Sequence, residues 1–463
     1  MLIENAQVWG TEATSVRLNG DRIAEIGHLD PREGEDILDA RGGLLLPGLH
    51  DHHIHLAGTA VRQDSLWCGP PEVRTRRALA ERLAAPGESW LRGIGYHETV
   101  LGGLPDAREL DALCTHRPLR MQHRSGRMWF FNSCGLDAIL ARAEAPPGLE
   151  RVGGRFTGRL FDEDAWLREA LGSEPPDLAV LSMQLARKGV TGITDMTPQN
   201  DPQIARHFTR QMQSGRLLQK VTLAGTASLA QAEAGPWHLG PVKLHLHEAA
   251  LPDFDQTVGA IAAAHDSERP VAVHCVSEVE LVFAIAAIEA AGARRGDRIE
   301  HCSVASPELV ARMAELGLWV CVQPHFVAER GDQYLADVEA RHVPDLYRLQ
   351  SLADAGLALA GGSDAPFADT DPWAAMRAAL ARRTPAGKTV GAHEALSPEA
   401  ALALYLADPK DLSRQRRIEP GACADLCLLR TTWSETRKRL GSEAVAATFV
   451  SGRLVFDDRI DQS

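Results

Sequence analysis

Apolar positions fall in two rhythms along the 463 residues. At the start, short runs alternate apolar with polar residues and are broken by turn residues: MLIENAQVW, SVRLNGDRIAEIG and DILDARGGLLL. That is a strand rhythm, because successive side chains of a strand point to opposite faces. ADLCLLR and AVAATFVSGRLVF repeat it near the other end. Between them, short continuous apolar runs alternate with helical segments, the pattern of an α/β fold with a parallel sheet. Eight such runs occur, near 44–56, 189–196, 220–226, 241–246, 270–275, 298–302, 318–324 and 357–364. Ser306-Pro307-Glu308 and Ser397-Pro398-Glu399 each place an N-cap residue, a first-turn proline and an early acid, predicting helix starts.

Eight strands with intervening helices predict a closed (β/α)8 TIM barrel. Chain ends often lie close together, so residues 1–47 and 411–463 are expected to form one small composite β-sandwich, with 48–410 as the barrel. Residues 57–188 break the alternation after the first strand. SWLRGIGYH, PLRMQHR and RFTGRLFDED are strand-like, so this stretch is expected to be an inserted subdomain covering the barrel mouth.

Composition narrows the partners. A chain 44% hydrophobic and 24% charged is soluble and globular with a large core. Its net charge of -13 argues against nucleic acid and anionic membranes, leaving a small-molecule substrate as the expected partner and a homo-oligomer open. No run approaches the roughly 20 apolar residues of a membrane span, and MLIENAQVWG lacks the basic and apolar regions of a secretory signal. The eight cysteines are scattered with no CxxC, so disulfides are not expected and a cytoplasmic setting is.

The informative residue is histidine. The first barrel strand ends in Asp51-His52-His53-Ile54-His55, where His53 and His55 share a face. On a barrel strand that face is the lumen, and its C-terminal end is where barrel active sites lie. Three later strands end the same way, at His274 after Val273, His301 after Glu300, and Asp364 after Gly361-Gly362-Ser363. Singly, each histidine is a hydrogen-bonded core residue or a solvated loop residue; together at one end of a barrel they are metal ligands. Imidazole and carboxylate suit Zn2+, with Mn2+, Fe2+ or Ni2+ less favoured. Lys243 adds a donor inside the barrel. A buried ammonium is costly, and it either pairs with a carboxylate or reaches solvent, or it carries CO2 as an anion with two oxygens able to bridge cations.

PGLHDHHIHL, Lys243, VAVHC, RIEHCSV and GGSDAPF together resemble the amidohydrolase superfamily. WLRGIGYHE, RPLRMQHRSGRMWFFNS, TGRLFDED and GVTGITDM resemble its family 3 branch, which includes N-substituted formamide deformylase-like proteins. The resemblance runs from about residue 40 to 455 and ends with IEPGACADLCLLR, similar to the return into the small β-sandwich. It implies a metal-dependent hydrolase of carbon–nitrogen bonds other than peptide bonds, with one or two divalent transition-metal ions, zinc first. His53 and His55 would hold one ion, carboxylated Lys243 would bridge, His274 and His301 would hold the second, and Asp364 would touch the first and shuttle protons.

Hydrolysis of an amide, an N-formyl or N-acyl amine or a cyclic amide is the expected reaction, by metal-activated hydroxide with Asp364 as general base and then acid. Departures from the branch concern the pocket. Gly126-Arg127 stands where the branch has Gly-His, His97 where it has an acid, and His247-Glu248 where it shows Asp-Gly. His97, Arg127 and His247, with His245 of the same strand parity as Lys243 and His325 at the end of the seventh strand, are the candidate substrate contacts. Arg127 would suit an anionic group, or form a surface ion pair, and His325 would line the pocket, or hydrogen-bond a loop. Glu300 and Asp51 are candidate partners of the ligand histidines, against which stands the opposite facing of adjacent strand residues. His245-Leu246-His247-Glu248 also has the HxxE spacing of deaminases, so deamination of a heterocycle using Glu248 is the alternative, and a non-catalytic barrel protein the third.

Overall fold

Every one of the eight predicted runs contributes a strand to one parallel sheet. They are β1 (Leu49–Ile54), β2 (Val190–Asp195), β3 (Lys220–Gly225), β4 (His238–His245), β5 (Val271–Cys275), β6 (Arg298–His301), β7 (Trp319–Val322) and β8 (Ala358–Gly361). The computed structural model describes residues 1–459 apart from 64, 71, 85, 88, 173 and 174, so the tail 460–463 of the expected C-terminal sandwich segment lies outside the described residues. Neighbours in the sheet follow chain order from β1 to β8, the order in which the strands of a βα barrel pair. The strands read as continuous apolar runs rather than alternating ones because both faces are covered.

The barrel closes just beyond the ends of β8 and β1. Asp364 N–H donates to the His53 carbonyl at 2.6 Å and His55 N–H to the Ala365 carbonyl at 2.8 Å. Gly362 permits this: a Cβ there would lie 2.5 Å from the His53 backbone nitrogen. The first predicted run divides in two. Leu44–Pro47 pairs in a different sheet, and β1 begins at Leu49. Gly48 between them sits against Thr191, which a Cβ would meet at 2.2 Å. Of the two predicted helix starts, Ser397 caps its helix through Ala400 N–H at 3.1 Å, whereas the helix after Ser306 begins without a side-chain cap bond.

Two smaller sheets use both chain ends. Strands Arg22–Gly27, Ser15–Asn19, Leu2–Glu4 and Ile37–Asp39 form one. Gln7–Val8 and Leu44–Pro47 join Leu426–Leu429, Val445–Val450 and Arg453–Asp457 in the other. Ile3, Val16, Ile23, Leu45, Leu428 and Phe449 share one buried core, so segments some 400 residues apart are held by a common apolar layer.

A second compact unit, Ala57–Pro176, is built on a six-stranded sheet with two apolar cores of its own. Its strands include Leu91–Tyr96, Leu119–His123 and Arg155–Phe161, the three strand-like stretches of the sequence. The helix Ala179–Arg187 that follows belongs with the barrel unit, where Ser182 donates to Gln219 at 2.8 Å. Among the described residues no helix is long and apolar enough to cross a membrane.

Candidate metal centre

The C-terminal ends of β1, β6 and the segment after β8 bring His53, His301 and Asp364 together, with one donor atom of each inside a 4.8 Å cluster and all three side chains buried. Asp364 Oδ1 lies 3.2 Å from His53 Nε2 and 3.1 Å from His55 Nε2. The His301 ring centroid is 4.8 Å from that of His53 and 4.5 Å from that of His274. Lys243 Nζ, also buried, has no hydrogen-bond partner among the described residues.

Alternation explains part of this arrangement. Lys243 pairs with Ala272 and His245 with His274 across β4 and β5, and His274 pairs with Glu300 across β5 and β6. Paired residues share a face, so Lys243, His245, His274, Arg298 and Glu300 all belong to one face of the sheet. By that rule His301 should point away. It does not, because β6 ends in a left-handed turn: His301 has φ 69° and Cys302 φ 50°. Asp364 likewise has φ 52°. Non-glycine residues rarely adopt this region, and where they do it marks a position that the surroundings over-determine.

Glu300 therefore faces inward by ordinary alternation and is the partner of a candidate ligand. His53 Nδ1 donates to its Oε2 at 2.5 Å. Arg298 grips the same carboxylate, through Nε to Oε1 and through Nη2 to Oε2 at 3.0 Å, and also donates to the His52 carbonyl at 2.9 Å. A carboxylate can only accept, so Nδ1 carries a hydrogen, and Nε2, which faces Asp364, is the ring atom that a cation would take. His301 is held in the same sense, Nδ1 donating to Gln323 Oε1 at 2.8 Å, and His55 Nδ1 contacts Thr197 Oγ1 at 3.2 Å. In the sequence Glu300 stood out only as the neighbour of His301. Gln323 and Thr197 come from other strand ends and carried no signal. Asp51 holds backbone rather than a ring, accepting from His53 N–H at 3.1 Å and Ser363 N–H at 2.9 Å. Burial pushes its carboxyl up to about 6, against those bonds.

Burial dominates the electrostatics. It pulls His301 down to about 3 and His274 well below the usual imidazole range, with neighbouring imidazoles adding to the effect on His274. Burial also lowers the Lys243 amine, although Glu300 opposes this. For Glu300 and Asp364 burial works upward but is outweighed, by Arg298 in the first case and by His301 and His53 in the second, so both stay below the usual carboxylate range. His53 goes the other way: burial lowers its ring, but Glu300 and Asp364 outweigh this and raise it above the usual imidazole range. Imidazoles beside ionised carboxylates are the donor set that a divalent cation takes.

The five candidate substrate contacts fall in different places. His245 stacks on His274, ring centroids 4.2 Å apart and 11° from parallel, and His247 lies 4.5 Å from His245. His325 is buried on the helix after β7 and donates Nε2–H to the Ser363 carbonyl at 2.9 Å. His97 and Arg127 belong to the second unit. There His97 caps a short 3-10 turn through Thr99 N–H at 3.2 Å, and exposed Arg127 forks onto Asp162 at 2.8 and 2.7 Å. Glu248 is exposed, with its backbone N–H bonded to Glu280 at 2.9 Å.

The chain is similar along most of its length to known proteins. An N-substituted formamide deformylase from Arthrobacter pascens is 26% identical over 99% of this chain and 98% of its own length. Protein LONG AFTER FAR-RED 3 from Arabidopsis thaliana is 23% identical over 98% of this chain and 91% of its own. The crystal structure of an uncharacterized metal-dependent hydrolase from Pyrococcus horikoshii OT3 superposes with a TM-score of 0.76 at 18% identity, covering 93% of this chain and 97% of that one. Residues 36–456 match the amidohydrolase family, and the chain belongs to it.

Proposed function

We propose that this protein hydrolyses a carbon–nitrogen bond of a small molecule, with Asp364 moving the protons and a divalent metal ion bound by His53, His55, Lys243, His274, His301 and Asp364. The observation that carries the reading is the convergence of His53 Nε2 and His55 Nε2 on one oxygen of Asp364, at 3.2 and 3.1 Å. The donors suit one or two divalent ions, zinc first. The buried Lys243 Nζ, with no hydrogen-bond partner, is costly unless something else occupies it. As a neutral amine it is the nucleophile that adds CO2, and the resulting carbamate supplies two further oxygens. A cation held there supplies Lewis acidity, polarising a carbonyl and lowering the pKa of water from about 15.7 toward ~7.

The protein's own residues do the rest. Glu300 and Gln323 fix the tautomers of His53 and His301. Asp364 Oδ1 accepts the proton of the attacking water and returns it to the departing nitrogen, since an amide nitrogen leaves only when protonated. Similarity to a formamide deformylase along nearly the whole of both chains favours an amide, an N-formyl or N-acyl amine or a cyclic amide. His245, stacked on His274, is the substrate contact best supported by position. The test is metal analysis of protein purified without chelator, together with amine release from a panel of N-acyl and cyclic amides. Fewer than one equivalent of any transition metal would overturn the proposal. So would ammonia release from a heterocycle that depends on Glu248.

A further inference from the structure

At the opposite end of the barrel from this centre lies a cavity of about 360 Å3, lined by strand starts and by the sandwich. Cations crowd it: Arg22, Lys220, Lys410, Arg414, Arg416 and Arg417, against the acids Asp408, Glu419 and Asp425. In a chain of net charge -13 that is a local reversal of sign. Cys423 opens onto this cavity. Six of the other cysteines are buried, and the remaining one, Cys134, is exposed on a helix of the second unit.

Lys220, at the start of β3, lies with its Nζ 2.7 Å from Cys423 Sγ, 203 residues away in sequence. That is well inside an ordinary N–H···S contact, and close to the span of two single bonds meeting at one oxygen. The same Nζ is 2.9 Å from Asp425 Oδ2. Cys423 is also partly exposed, and access to the sulfur is one of the conditions for oxidation by peroxide.

We propose that Lys220 and Cys423 are a redox-linkable pair, which hydrogen peroxide converts into an N–O–S bridge between the barrel and the sandwich. In the first step the Cys423 sulfur attacks one peroxide oxygen. An S–O bond forms, the O–O bond breaks, and thiol plus peroxide give sulfenic acid and one water. In the second step the Lys220 amine, its extra proton passed to Asp425, and the sulfenic acid each lose one hydrogen to a second peroxide. An N–O bond forms and two waters leave. Thiol, amine and two peroxides thus give the bridge and three waters. The bridge ties the start of β3 to a sandwich segment far along the chain, and so restricts the unfolded chain as a disulfide does.

The test is peroxide treatment of the full chain, digestion without reductant and mass mapping. The expected product joins the peptides of Lys220 and Cys423 at their summed mass plus one oxygen and minus two hydrogens. Dithiothreitol reverses it. Thermal unfolding of the oxidised protein should shift upward. Both the product and the shift should be absent from Lys220→Arg and from Cys423→Ala, while Cys134 still oxidises in each. Two results would overturn the proposal: Cys423 remaining a free thiol at peroxide doses that oxidise Cys134, or Cys423 reaching sulfinic or sulfonic acid with Lys220 unmodified.

Discussion

Glu300→Gln tests the architecture of the centre most directly, because Glu300 serves two partners and the consequences for each can be separated. Its side chain is fully buried, that of Arg298 nearly so, and two bonds join them while a third reaches His53. The substitution keeps the shape and removes the charge, so the Arg298 guanidinium is left uncompensated in the barrel interior. Breaking a buried pair in this way costs about 3–5 kcal/mol. Replacing both partners, as in Arg298→Met with Glu300→Gln, removes the stranded charge, and most of that loss should return. Metal binding should behave differently. Without a carboxylate on Nδ1, the His53 ring is free to take the other tautomer, and affinity should fall roughly 10- to 100-fold in the single and the double variant alike. Urea denaturation of metal-free protein reads the first quantity, and competition with a chromophoric chelator reads the second. A double variant as unstable as the single one would refute the stranded-charge argument. Unchanged metal affinity would refute the role of Glu300 as the group that orients His53.

Three further outcomes are expected. Asp364→Asn should retain its metal while turnover falls roughly 10²- to 10⁴-fold, whereas His53→Ala should lose metal and turnover together; elemental analysis beside initial rates distinguishes them. Gly362→Ala should cost about 1–3 kcal/mol by overpacking, because the new Cβ meets the His53 backbone at 2.5 Å, and a thermal shift near zero would contradict the closure described for β8 and β1. In the sandwich, buried Arg17 hydrogen-bonds Glu35 and holds its carboxyl below the usual range. The stability from this pair is therefore complete above the unfolded value of about 4.3 and fades as pH falls toward the depressed one. Arg17→Met should flatten that part of the unfolding profile, and an unaltered acid limb would show the pair to be silent.

Much of this could be read from the chain because barrel strands impose their own pattern. Each of the eight continuous apolar runs became a strand, and the donors at their ends, His53, His274 and Asp364, were placed by the rule that barrel sites gather at C-terminal strand ends. Glu300 was harder to read. Beside a presumed inward His301, alternation argued against it; in the fold Glu300 keeps the alternation and His301 departs from it through a left-handed backbone. His325 illustrates the opposite case, a histidine at a strand end that bonds a loop carbonyl.

Local sequence determined the periodicities, the helix starts and which residue types stood at strand ends, since these depend on neighbours a few positions away. Tertiary structure alone decided what those residues meet. Glu300 could be recognised as the partner of His53, Gln323 as the partner of His301, and Lys220 as the neighbour of Cys423 only once segments 247, 22 and 203 residues apart were laid side by side. The reason is physical: a hydrogen bond or an ion pair depends on distances of a few ångströms, and between remote segments those are set by how the whole core packs.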